Sequence, residues 1–114
     1  MGFSAGSGAV QVAGTATIIS KTVAAGNYVL FARVSVENAG DPDDEAIGSC
    51  SIPGDSEGVL LVDGARGSGT DEVLALTAAV QHAGGALELK CGEATGNFDV
   101  ESARLSGVKV SELG

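Results

Sequence analysis

Hydrophobic and polar positions alternate most clearly over residues 28–37, in the sequence YVLFARVSVE. Every second residue on one side is apolar: Tyr28, Leu30, Ala32, Val34 and Val36. The other side begins apolar at Val29 and Phe31 and becomes polar from Arg33 onward. A period of two is typical of a β-strand with one face in the core. We therefore predict a central strand, covered on both faces where it enters the molecule and half exposed where it leaves.

Short apolar segments bounded by Gly, Pro or Asp recur along the chain and predict more strands, at residues 17–21, 47–52, 59–63, 86–91 and 100–113. The intervening residues 38–45, 53–58, 64–69 and 92–99 are predicted as loops from their Gly, Pro and Asp content. In the last strand the inward set shifts from Ala103 and Leu105 to Val108 and Val110, which predicts a β-bulge at residues 106–107. The fold class expected is all-β, an antiparallel β-sandwich of two sheets.

Residues 70–83, TDEVLALTAAVQHA, carry conflicting signals. Thr70 is a suitable helix N-cap, two acidic residues follow it, and Gly84 could end a helix. The alternative is a hairpin in which residues 73–80 turn at residues 81–85 and pair with residues 86–91. We predict the strand, because only a strand agrees with the all-β pattern around it.

Residues 1–16 are small and Gly-rich, with a short strand predicted at residues 9–13. They are interpreted as an N-terminal arm or edge strand outside the core, and residues 17–114 as a single β-sandwich domain. The first six residues lack the basic and apolar regions of a signal peptide. Either the chain starts natively without an export signal or Met1 replaces one that was removed.

The chain is strongly acidic, with 15 Asp and Glu against 6 Lys and Arg and a net charge of −9. Residues 37–65 contain eight acids and no base, whereas residues 1–36 contain only Lys21 and Arg33 as charged residues. Such a surface repels phosphate backbones and anionic lipids, so nucleic acid is not an expected partner. No apolar segment reaches the length of a membrane span, and no membrane insertion is expected.

Cys50 and Cys91 are the only cysteines, and each lies in an apolar strand-like segment. With a single His and no CxxC pair, a zinc site lacks ligands. A disulfide is the favoured interpretation, and two buried free thiols are the alternative. A disulfide would indicate an oxidising setting outside the cytosol, in a virion or in the extracellular space.

Catalytic and cofactor motifs are incomplete. The GFSAG string at residues 2–6 matches a nucleophile elbow but has neither the preceding buried strand nor the following helix. His82, the only His, falls in a predicted turn. The loop at residues 41–45 fails the EF-hand spacing, and a looser calcium site formed by Asp41, Asp43 and Asp44 is kept only as an alternative to a solvated loop. We expect no enzyme, no cofactor and no metal site.

Four segments carry a family resemblance: ISKTVAAGNYVLFARVSVEN, a strand containing Cys50, LALTAAVQHAGGALELKC, and ARLSGVKV. Together they resemble small jelly-roll modules of actinobacterial and actinobacteriophage proteins, with an architecture similar to tumour-necrosis-factor-like and complement-type jelly rolls. The resemblance covers about residues 15–112. It implies a jelly-roll topology, a strand at residues 70–80, a Cys50 to Cys91 pairing and homotrimers, and it implies no catalytic residue.

These observations favour a non-enzymatic structural or interaction protein, specifically a phage virion surface subunit such as a capsid decoration or tail-associated protein. A secreted actinobacterial surface module or a carbohydrate-binding module is the alternative. We expect a homo-oligomer, a trimer in the first instance, or a subunit bound to other virion or surface proteins. The candidate interface residues are apolar Val29 and Phe31, basic Lys21 and Arg33, and acidic Asp43 and Asp44.

Overall fold

The structure is a computed structural model, and it describes residues 2–12, 14–38, 45–62, 71–95 and 98–111. Within these ranges the chain forms nine strands and no helix: β1 (Gly2–Ser7), β2 (Val10–Val12), β3 (Thr15–Val23), β4 (Gly26–Asn38), β5 (Glu45–Ile52), β6 (Asp55–Val62), β7 (Asp71–His82), β8 (Gly85–Thr95) and β9 (Phe98–Val110). In the part of the chain that is described, no helix is long and apolar enough to span a membrane.

The strands form two antiparallel sheets packed face to face. The five-stranded sheet has the order β1-β9-β4-β7, with β2 also paired to β9, and the four-stranded sheet has the order β3-β8-β5-β6. Except for the β5–β6 hairpin, each connection from β3 to β9 leads from one sheet to the other. The predicted antiparallel β-sandwich of jelly-roll type is confirmed.

The core lies between the two sheets and is built mainly from Leu, Val and Ile. The predicted inward side of β4 is confirmed, since Leu30, Val34 and Val36 are each 0% exposed. The four-stranded sheet contributes Leu87 and Leu89, both also fully buried. As predicted, β4 is a central strand, paired with β9 on one side and β7 on the other.

The outward side of β4 differs from the prediction. We expected it to be covered where the strand enters the molecule, but Phe31 is 46% exposed and Val29 only half-buried. Within the described residues nothing packs over this side, because the four-stranded sheet covers the opposite face. The prediction of burial on both faces is therefore wrong.

Strand pairing also differs from the prediction at two other places. The strand at residues 70–83 is confirmed as β7, but β7 pairs with β4 and β8 pairs with β3 and β5, so they do not form a hairpin. The expected six-residue loop at 53–58 is a turn of Pro53 and Gly54, after which Asp55 already pairs with Ile52. Gly54 has a φ of +91°. Pro followed by a glycine with positive φ is the combination that a type II turn requires, which explains the tighter connection.

The predicted bulge at residues 106–107 is wrong. The irregularity in the β4–β9 ladder lies between Ser35 and Val36, which pair with Ser102 and Val100 and leave Glu101 as the extra residue. From Ser102 onward the register is unbroken, so Gly107 faces the core and Val108 faces outward, 46% exposed.

Residues 2–12 form part of the five-stranded sheet. Strand β1 lies at its edge, paired with β9 of the same chain, and Val12 in β2 is only 2% exposed. The expectation that the first 16 residues lie outside the core is thus wrong for Val12. Phe3 also packs on the core, and its ring lies over Gly107 in the space that a Cβ there would need.

A disulfide joins the two central strands of the four-stranded sheet. Cys50 and Cys91 are direct cross-strand partners, each 1% exposed, and they are bonded to one another. The favoured disulfide is therefore confirmed, and the alternative of two free thiols is excluded. Because 41 positions separate the two cysteines, the bond constrains a long segment of the unfolded chain.

The turn between β5 and β6 covers the free edge of β7. Asp55 accepts hydrogen bonds from the backbone N–H of Thr77 at 3.0 Å and from that of Ser56 at 2.9 Å. Next to it, a Cβ on Gly54 would meet the side chains of Val80 and Ala78 at 2.9 and 3.0 Å. The Asp55 carboxylate thus accepts a hydrogen bond from a backbone N–H at the free edge of β7. It links the four-stranded sheet to the five-stranded sheet.

We predict that the Cys50→Ala, Cys91→Ala double variant loses about 4 kcal/mol of unfolding free energy in the chain-entropy approximation. Urea unfolding followed by circular dichroism measures this loss. In the unaltered protein, alkylation after denaturation without reductant should add no mass. Two added labels on each molecule would contradict the bond.

We also predict that Asp55→Ala lowers the unfolding free energy by about 1–2 kcal/mol, because the Thr77 N–H loses its charged acceptor. The same urea experiment applies. Glu57→Ala is the matched control, since it removes one exposed acid from the same strand. Equal losses in the two variants would show that charge, not the hydrogen bonds, accounts for the effect of Asp55.

Candidate functional site

The outward side of the five-stranded sheet is left uncovered by the fold within the described residues, and it carries the exposed Phe31, Val73 and Val108. We call it the exposed sheet face and define it by outward residues of four strands: Ser4 and Gly6 on β1, Ser102, Arg104, Ser106 and Val108 on β9, Val29, Phe31, Arg33 and Ser35 on β4, and Val73, Ala75, Thr77 and Ala79 on β7. Most of these side chains are small, so the face is flat and the few large ones protrude from it.

One end of the exposed sheet face is apolar. Val29 lies between Val108 and Ala79 in the cross-strand register, and Phe31 follows two positions along β4. Phe31 is flanked by Ser106 and Thr77, which are too short to cover its ring. At the other end Val73 is 50% exposed beside Ser35. The neighbouring residues Val29, Phe31 and Val108 form an apolar surface of the kind that is typical of protein interaction sites.

The middle of the exposed sheet face is basic. Arg33 and Arg104 are direct cross-strand partners, an arrangement in which Cβ atoms lie about 5 Å apart and like charges repel. Arg104 donates from Nη1 to Ser4 Oγ at 3.1 Å. Among the described residues neither guanidinium forms an ion pair with a carboxylate.

A shallow groove of about 410 Å³ runs beside the two arginines and is lined also by Gly6, Ser35 and Ser102. Gly6 is the register partner of Arg104 on β1 and leaves space over it. Two guanidinium groups and several hydroxyls can bind a carboxylate through charge-assisted hydrogen bonds. The groove can therefore receive an acidic side chain from a neighbouring protein.

The structure brings together three of the six interface candidates from the sequence. Val29, Phe31 and Arg33 share the exposed sheet face, whereas Lys21 lies on β3 of the other sheet, paired with the buried Leu87. Asp43 and Asp44 lie outside the described residues, as does Asp41 of the calcium alternative.

The described residues offer no group of three or more His, Cys, Asp and Glu side chains that could hold a metal ion. His82 ends β7, and its Nδ1 accepts a hydrogen bond from the Gly84 N–H at 3.0 Å. This contact fixes the β7–β8 turn, in which Gly84 and Gly85 both have positive φ. The arrangement around His82 is explained by the turn itself.

Sequence analysis missed three residues of the exposed sheet face. Val108 was assigned to the core because the bulge was placed at residues 106–107 instead of at Glu101. Val73 was not singled out, because the direction in which it faces depends on the pairing with β4. Arg104 was not singled out either, although its position between the inward Ala103 and Leu105 already predicts that it faces outward.

No family model matches this chain, and no curated protein matches it. Solved structures match at the level of fold. The VP2 subviral particle of infectious bursal disease virus is similar with a TM-score of 0.59 and 9% identity over 96% of this chain and 32% of that one. The chain therefore spans about a third of the length of that capsid protein.

Two other structures extend the similarity. The globular domain of zebrafish complement 1qA protein matches with a TM-score of 0.52 and 11% identity over 98% of both chains. The Cry4Aa toxin of Bacillus thuringiensis matches with a TM-score of 0.53 and 12% identity over 91% of this chain and 19% of that one. These similarities support the resemblance to jelly-roll β-sandwiches. The resemblance to actinobacterial and actinobacteriophage modules stays a prediction.

We predict that Arg33→Gln raises the thermal unfolding midpoint at low ionic strength, because it removes the repulsion between the two cross-strand arginines. The gain should shrink in high salt, where the repulsion is screened. Differential scanning calorimetry at two salt concentrations measures both. Lys90→Gln is the control, since Lys90 lies 3.4 Å from Glu88 and its loss removes an attraction. A midpoint that falls in both variants would show that Arg33 has a stabilising partner.

Proposed function

We propose that this protein is a non-enzymatic structural subunit that assembles with copies of itself, or with other proteins of a virion or cell surface, through the exposed sheet face. The observation that carries the proposal is the exposure of Phe31, Val73 and Val108 on one side of one sheet. A homotrimer is the assembly we favour, following the family resemblance.

Burial of the exposed part of Phe31 would contribute on the order of 2 kcal/mol for each copy, at ~25 cal/mol per Å² of apolar surface. Val29, Val73 and Val108 would each add less. The small residues around them allow another flat surface to approach closely. Apolar contact would supply most of the affinity, since charges at the rim of an interface contribute little.

The two arginines would give this contact its specificity. A chain of net charge −9 repels other copies at long range. Arg33 and Arg104 form a positive centre on the exposed sheet face, so an acidic segment of a neighbouring subunit would be attracted there. Asp43 and Asp44 are the acidic partners that we propose, as part of the acid-rich residues 37–65.

The virion assignment is supported by the fold, which also occurs in a viral protein solved as a subviral particle. The disulfide agrees with a protein that functions in an oxidising setting, so we propose a virion or extracellular location. A jelly-roll fold and a disulfide are equally compatible with a secreted surface module. Binding to purified particles distinguishes the two hypotheses.

The carbohydrate-binding alternative receives less support. Sugar recognition relies on exposed aromatic surfaces, and among the side chains whose burial the structure describes, Phe31 is the one aromatic that is exposed. We likewise propose that the protein is not an enzyme, since no nucleophile is paired with a base among the residues that the structure describes.

We predict that the full-length protein is a trimer by light scattering at micromolar concentration in physiological salt. Phe31→Glu should convert it to a monomer, because the interface would then bury a carboxylate in place of the apolar ring that supplies much of its affinity. Ile47→Glu is the matched control. Ile47 is 38% exposed but lies on the four-stranded sheet, so this variant should stay oligomeric.

Circular dichroism must show the same strand spectrum for all three proteins. A full-length monomer that also fails to cosediment with purified phage capsids or tails would refute the proposal. Dissociation by Ile47→Glu but not by Phe31→Glu would move the interface to the other sheet.

A further inference from the structure

An open pocket of about 300 Å³ lies at one end of the sandwich, between the two sheets and away from the exposed sheet face. Its lining comes from both sheets: Gly2, Phe3, Tyr28 and Lys109 from the five-stranded sheet, and Lys21, Thr22, Val23 and Ala24 from β3 and the corner after it. The volume is at the lower end of the range for small-molecule sites, ~300–1,000 Å³.

Aromatic side chains form the apolar part of the pocket. Phe3 and Tyr28 contact edge to face, with ring centroids 6.2 Å apart and an interplanar angle of 67°. Phe3 is held in place by Gly107, which leaves room for its ring. The Tyr28 hydroxyl donates to the Ala24 carbonyl at 2.8 Å, so the ring is fixed and the polar end is satisfied. The pocket is therefore formed before any ligand arrives.

Two lysines occupy inward positions at this pocket. Lys21 pairs with the buried Leu87 in the β3–β8 ladder, and Lys109 pairs with the buried Tyr28 in the β4–β9 ladder. Inward positions of a sandwich are normally apolar. Both side chains are exposed at the pocket, and within the described residues neither forms an ion pair.

Gly26 supports the placement of Lys109. A Cβ on Gly26 would lie 2.5 Å from the Lys109 Cε, so the side chain of the lysine lies directly over the glycine. The lysine is thus directed along the end of the sheet and not away from the molecule. Two ammonium groups beside an aromatic surface form a site for a ligand with an anionic head and an apolar body.

We propose that this pocket binds a small amphipathic carboxylate, with its apolar body against Phe3 and Tyr28 and its carboxylate between Lys21 and Lys109. The site goes beyond the proposed assembly function and does not depend on it, because none of its residues belongs to the exposed sheet face. A polyanion is excluded by the net charge of −9, whereas a single carboxylate interacts with the two lysines at short range.

Intrinsic fluorescence tests the proposal directly, because Tyr28 is the only Tyr and the chain has no Trp. Octanoate is the probe, since it does not absorb where tyrosine is excited, and 1-octanol is its neutral counterpart. We expect a saturable change in Tyr28 emission with octanoate, with a dissociation constant on the order of 1 mM. Octanol should bind about tenfold more weakly.

Charge variants then test the role of the lysines. Lys21→Gln and Lys109→Gln should each weaken octanoate binding about threefold, and the double variant about tenfold, while octanol binding stays unchanged. Lys90→Gln removes the same charge from the outward side of β8 and should leave octanoate binding unaltered. Calorimetric melting of each variant verifies that it is folded.

Absence of a saturable response to octanoate in the unaltered protein would overturn the proposal. So would equal binding of octanoate and octanol, or a folded double variant that binds octanoate as tightly as the unaltered protein. Each of these outcomes is independent of the oligomeric state, so it leaves the assembly function to its own test.

Discussion

The register between β4 and β9 decides which side chains of the five-stranded sheet are buried and which are exposed. The two strands pair over their full length, and one extra residue, Glu101, shifts the alternation of β9 relative to β4. Because successive residues of a strand face opposite ways, a single insertion reverses every residue beyond it. With Glu101 as the extra residue, Leu105 and Gly107 face the core while Arg104 and Val108 face outward. The same shift places Arg104 directly across from Arg33 and places Lys109 on the inward side of β9.

The two sheets are held together by different means at different places. In the centre, fully buried Leu and Val side chains of β4 and β8 pack against one another. The four-stranded sheet is additionally crosslinked by Cys50 and Cys91, which is consistent with a small core of low aromatic content. At the edge of β7, the Asp55 carboxylate replaces a missing neighbouring strand. The outer side of the five-stranded sheet is the remaining described surface with several large apolar residues, and this is why we assign the interface there.

Local pattern predicted a strand within each of β2 to β9 but missed β1, whose small and Gly-rich residues carry no apolar alternation. It also predicted the core side of β4, because alternation over ten residues depends only on which face is buried. It also predicted the disulfide, since two cysteines within strand-like segments had no metal partner. Pairing was harder to predict. Strands β7 and β8 are consecutive and separated by two residues, yet they lie in different sheets, because a jelly roll changes sheet at that corner. The bulge at Glu101 has no recognisable sequence pattern, whereas Ser106 and Gly107 wrongly suggest a bulge. Because the bulge was predicted at the wrong place, Val108 was predicted to face the core instead of the exposed sheet face.

The distribution of the basic residues supports two separate sites, one on the outer face of the five-stranded sheet and one at the end of the sandwich between the two sheets. The chain has only six Lys and Arg, and four of them occur as two pairs, Arg33 with Arg104 and Lys21 with Lys109. Juxtaposed like charges reduce stability, so neither pair is explained by folding. The arginines lie on a flat and partly apolar face, where a planar guanidinium can bind a carboxylate bidentately within a protein contact. The lysines lie at a concave aromatic pocket, where a compact ammonium suits the head of a small ligand. The shape of the surface around each pair is therefore the reason why we propose a protein partner for the arginines and a small molecule for the lysines.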